Sequence, residues 1–206
     1  MSIVKLSNNG VKNATAFGSI TGLGSMTFIK KLTASSSSTL SFVDGSSDVV
    51  LDDTYKEYVF TFKNIHPSAD DGLFQMNVSI DSGSNYNVAK TTTHFRAYHF
   101  ESDASGLGYQ TGDDLAQGTG VQVLINSEMG NDNDQNCGGY LHLFNPSSTN
   151  FVKHFISNIN YTTANDTSTQ CFVAGYANTT SAVDAIQFSM NSGNIDAGDI
   201  CLYGIL

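Results

Sequence analysis

From Met26 onward, apolar side chains recur at every second position, in short runs broken by Ser, Asn, Asp and Gly. The run 55–63 is the clearest. Tyr58, Phe60 and Phe62 fall on one face and Glu57, Thr61 and Lys63 on the other, which is the period of two of a half-buried strand. The run 73–80 repeats the pattern, with Phe74, Met76, Val78 and Ile80 set against Gln75, Asn77 and Ser79. Two strands with one wet face each predict an antiparallel sheet covered on one side. Further strands are predicted at 26–33, 39–43, 49–51, 93–100, 121–126, 139–145, 151–158, 171–177, 185–190 and 199–205. Only 113–117 reads as helical, for one turn at most.

With about ten strands and no helical period, the chain is expected to be all-β, an antiparallel β-sandwich or jelly roll. A βαβ fold needs amphipathic helices that the pattern does not contain. No repeat of solenoid or propeller length is visible. The last strand sets Ile200 and Leu202 against Cys201 and Tyr203 after a Ser192-Gly193-Asn194 turn, so the C-terminal end is expected to be tied into a sheet. Residues 1–24 differ from the rest, being polar and punctuated by Gly10, Gly18, Gly22 and Gly24. They read either as an extended arm that anchors an assembly or as a first pair of short strands, with residues 25–206 forming the sandwich domain.

Composition sharpens this reading. Charged residues are only 14% of the 206. Ser, Thr, Asn and Gly supply the missing polarity and suit strands and turns better than helices. Net charge is −10 and Arg96 is the single arginine, which excludes a phosphate-binding surface and leaves no nucleic-acid partner. No apolar run approaches the ~20 residues of a membrane span, and residues 1–9 lack the apolar core of a secretion signal. Cys137, Cys171 and Cys201 show no paired spacing and read as three buried, reduced thiols with no zinc site.

Candidate chemistry is sparse. The chain contains no G-x-S-x-G, HExxH or phosphate-loop pattern, so no enzyme is expected. The five histidines are scattered; His94 and His99, five apart on one strand, face opposite sides. Asp132 and Asp134, in the acidic loop 130–136, offer hard oxygens of the kind calcium prefers. Cys137 and Leu143 stand where a calcium loop counted from Asp132 needs Gly and Glu, so a solvated loop without a cofactor is the expectation and a weak calcium site the alternative. Tyr86, Tyr109 and Tyr161 fall in predicted loops beside Asn, Asp and Gly. Exposed tyrosines there would stack on sugar rings; otherwise they cap the ends of the sandwich.

The segments Met26-Thr27-Phe28-Ile29-Lys30-Lys31-Leu32-Thr33, Tyr55-Lys56-Glu57-Tyr58, Asn64-Ile65-His66-Pro67, Phe95-Arg96-Ala97-Tyr98, Leu141-His142-Leu143-Phe144-Asn145-Pro146 and Leu202-Tyr203-Gly204-Ile205 resemble small virion structural proteins of marine, cyanophage-like bacteriophages. The resemblance extends from about residue 26 to the end. It implies a β-rich structural component of a phage particle, assembled in the host cytoplasm. Such a component would be a head decoration protein or a fibre or appendage subunit, with further copies of itself and other virion proteins as partners. A host-surface glycan is the alternative partner, for a receptor-binding module on the virion. The resemblance carries over no catalytic residue.

Overall fold

The computed structural model describes residues 26–126 and 129–206, so the 1–24 arm lies outside the described residues. Among these residues twelve strands form and no helix does: β1 (Met26–Thr33), β2 (Thr39–Val43), β3 (Glu57–Pro67), β4 (Phe74–Ser79), β5 (Lys90–Phe100), β6 (Ser105–Tyr109), β7 (Gln122–Val123), β8 (Cys137–Phe144), β9 (Lys153–Thr162), β10 (Thr167–Ala177), β11 (Ala185–Met190) and β12 (Ile195–Ile205). They make a β-sandwich of two antiparallel sheets, one of eight strands in the order β1-β12-β3-β8-β9-β10-β5-β6 and one of four in the order β2-β11-β4-β7.

The alternation in the sequence builds the space between them. Phe60 and Phe62 point inward from β3 and meet Phe42, Phe74 and Phe188 from the smaller sheet, with ring centroids 5.1–5.7 Å apart across Phe62–Phe74, Phe42–Phe60, Phe62–Phe188, Phe60–Phe188 and Phe74–Phe188. Leu141 and Leu143 of β8, Phe155 and Ile159 of β9, Val173 of β10, and Ile200 and Leu202 of β12 complete the buried layer. These rings and branched chains are large enough to fill the roughly 10 Å between packed sheets.

Four expectations are corrected. Residues 49–51 form no strand although Val49 and Leu51 are buried. Asp48 takes a positive φ of 67° and the Leu51 N–H donates to the Asp44 carboxylate, so apolar side chains are held by a turn. The 113–117 turn is not helical because the Leu115 N–H donates to Thr92 Oγ1 and the segment is pulled onto β5. β4 has no wet face inward of its ends. Asn77 and Ser79 are buried, and Asn77 Nδ2 donates to the Tyr86 and Thr119 carbonyls of chain crossing behind it. Ile80, beyond the end of β4, is exposed. Of the three thiols, Cys137 and Cys171 are buried, but Cys201 is only partly so because it faces outward from β12.

Candidate functional site

The two outer faces of the sandwich differ in kind. Outward positions of the small sheet carry Ser41, Gln187, Ser189 and Gln75 in register, with Gln187 Nε2 donating to Ser41 Oγ at 3.0 Å and Gln75 Nε2 to Ser189 Oγ at 3.1 Å, while Asn77 between them is covered by the chain behind β4. This is the polar exterior expected of a two-layer fold.

The large sheet turns out a different surface. Its ladder places Phe28, Tyr203, Val59, His142, Ile156, Ala174 and Thr93 in one row across β1, β12, β3, β8, β9, β10 and β5. The next row runs Cys201, Thr61, Tyr140, Asn158, Phe172, Phe95 and Tyr109. Neighbouring rings pair along these rows: Phe28 meets Tyr203 edge-on at 5.6 Å, Tyr140 meets His142 at 5.1 Å, and Phe95 stacks on Phe172 at 5.0 Å with planes 12° apart. Ile156, in the middle of the face, is 49% exposed. Because Ala174 is small, a trough of about 460 Å³ opens over β10, bounded by Ile156, His154, Tyr176, Thr91 and Thr93. Outward charges on these strands are Glu57, Asp196, Asp199, Lys31 and Lys63. Glu57 contacts His142 Nδ1. Asp199 accepts from Thr33 Oγ1 at 2.6 Å and pairs with Lys31 at 3.4 Å, and the Thr33 hydrogen bond, with Lys31 behind it, holds its carboxyl below the usual range.

The three tyrosines singled out from the sequence are separated. Tyr109 ends β6, is 51% exposed on this outer face, and donates to Asp114 at 2.6 Å. Tyr161 is not in a loop: it is the inward residue of β9, 1% exposed and part of the core. It shares inward parity with Phe155 and Ile159, so no ligand stacks on it. Tyr86 is in a loop and half-buried. Asp132 and Asp134 are both exposed. Their loop is closed by its own backbone, with the Gln135 N–H donating to the Asp132 carbonyl at 2.9 Å and the Asn131 N–H to the Asp70 carboxylate at 3.0 Å. Among the described residues no three His, Cys, Asp or Glu side chains are gathered for a metal. Chelator and added calcium are each expected to leave the melting temperature unchanged in a thermal melt; a rise with calcium would assign the loop a cation.

His94 and His99 do point oppositely. His99 lies exposed beside Asp103 at 3.2 Å. His94 is fully buried and, among the described residues, neither ring nitrogen is within hydrogen-bonding geometry of a partner, an arrangement the lone spacing in the sequence does not signal. Burial pushes its pKa down, only partly offset by Asp113. A depressed folded-state pKa means stability that is present above about 6.5, the ordinary histidine value, and lost as pH falls. Melting temperature is therefore expected to decline on acidification below pH about 6.5, with a shallower decline in His94→Leu; parallel curves would remove His94 as the cause.

No family model, curated protein or solved structure matches the chain.

Proposed function

We propose that this chain is a non-enzymatic structural subunit of a bacteriophage virion, a head decoration protein or a fibre or appendage component, that acts by protein–protein assembly. The observation that carries the assembly role is the asymmetry between the two outer faces. Folding supplies its own core between the sheets, so it gives no reason for a second apolar layer on one exterior and not on the other. Single exposed apolar residues are ordinary, whereas rings gathered into two neighbouring rows across a sheet mark an interaction surface. Tyr, Phe and His with few free charges is the composition of an interface core. The virion compartment rests on the sequence resemblance to phage structural proteins.

A glycan-binding module is the second reading, favoured by the alternation of rings and amides in the row Tyr140, Asn158, Phe172, Phe95 and Tyr109. Sugar rings stack on free aromatic faces. Phe95 and Phe172 each turn one face to the other, which leaves less free ring face for a sugar and favours a protein partner.

The test is peptide mass spectrometry of density-purified particles beside the infected lysate. Peptides of this chain at stoichiometric level in the particles are expected. Their presence in the lysate and absence from the particles would overturn the virion role.

A further inference from the structure

Resting on the assembly reading, we infer that the occupant of the outer face of the eight-stranded sheet is a second copy of this chain, packed face to face about a two-fold axis. The first argument is charge. The chain carries nineteen acids against nine bases, so two copies repel over most of their surfaces. The outward positions of β1, β12, β3, β8, β9, β10, β5 and β6 are the exception. Three acids, Glu57, Asp196 and Asp199, stand there against two lysines, Lys31 and Lys63, so this face carries only −1 of the chain's net −10. Glu57 and Asp199 are also engaged within their own copy, by His142 and by Lys31 and Thr33 respectively.

The second argument is area. The seven strands from β12 to β6, centred on β9 and about 4.8 Å apart, are ~29 Å across, and seven residues along each are ~23 Å long. The footprint is then roughly 660 Å² per copy, within the range of a standard stable interface.

The third is shape. Tyr140 and His142 form a ring ridge on β8, and the Ala174 trough lies over β10. Ridge and trough flank β9 at one strand's distance on either side. A two-fold axis along β9 lays His142 of each copy over the Ala174 trough of the other and Tyr140 over Phe172, and brings Ile156 near its own counterpart. A closed pair of this kind needs one self-complementary patch, and this face supplies both halves.

The full-length chain is the sample for the test: its mass by light scattering across a dilution series, with particle association scored separately. The wild type is expected at two copies, twice 22.0 kDa. Ile156→Asp is expected at one copy with its melting transition intact, and Gln187→Asp, on the polar outer face of the other sheet, at two. A wild type at 22.0 kDa throughout, a mass of three copies, or a pair that survives both Ile156→Asp and Tyr140→Asp would overturn the second-copy occupant. A single copy in solution that is nonetheless found in particles overturns this inference alone. A pair absent from particles overturns the virion role alone.

Discussion

Phe60→Ala is expected to lower the unfolding free energy by about 3–5 kcal/mol, the range for truncating a fully buried Phe. Phe60 is 0% exposed and sits where the sheets meet, with Phe42 at 5.3 Å and Phe188 at 5.5 Å on the opposite sheet. Removing the ring takes away its transfer free energy and leaves a void whose walls are other rings held in place by their own strands. Phe42 and Phe188 also touch each other, and Phe188 stacks on Phe74, so collapse into the gap would break contacts elsewhere. The cost therefore belongs in the upper part of the range. Urea unfolding of both proteins measures it from the shift in midpoint at constant slope. A loss under about 1 kcal/mol would mean that the site relaxes freely and that the core is not packed as described.

Lys90→Met is expected to act in the opposite direction, stabilising the fold by about 2 kcal/mol at neutral pH, the scale on which apolar replacements of buried charges repay desolvation. Lys90 is 0% exposed on the inward side of β5. Its ammonium is held by Asn77 Oδ1 at 2.6 Å and the Val88 carbonyl at 2.9 Å, and among the described residues it forms no ion pair. Burial pushes its pKa down to about 8. Because the folded-state value is the lower one, the unfolded chain holds the proton more tightly. Stability linked to Lys90 is complete above its unfolded value of about 10.5 and is lost as pH falls towards 8. At pH 7 the charged form is buried at a cost that Met avoids. Asn77 Oδ1 keeps the Val78 N–H as a donor when the ammonium is gone. The difference between wild type and variant, followed by denaturation from pH 7 to 10.5, is expected to shrink as pH rises. A difference independent of pH would assign the effect to packing.

Regular alternation was legible from the sequence, and irregular backbone was not. β1, β2 and β11 fall where the pattern puts them because each alternates between clear turn signals. β6 escaped because Gly106 and Gly108 occupy its alternate positions and give no side-chain signal; pairing with β5 makes it a strand. Tyr161 was misread as a loop residue because Asn, Ser and Thr surround it, and the inward Ser157 interrupts the run from Phe155 to Tyr161 that marks the buried side of β9. The outer aromatic face was the hardest feature to foresee. In β8 to β10 both parities carry rings or branched chains, and a strand apolar on both faces does not declare which face is covered by its own molecule. That distinction comes from the four-stranded sheet, which spans one side only.

β12 lies between β1 and β3, yet it follows every other strand in the chain. Among the described residues β1 pairs with no other strand, and Thr33 reaches Asp199 across 166 residues. During synthesis at roughly 5–20 residues per second, β1 therefore waits about 10–30 seconds outside the ribosome with its edge open. Through that interval β3 also lacks its β12 neighbour. The large sheet closes only when β12 enters the gap between β1 and β3, and a nascent chain that meets another copy before then can exchange that strand with it.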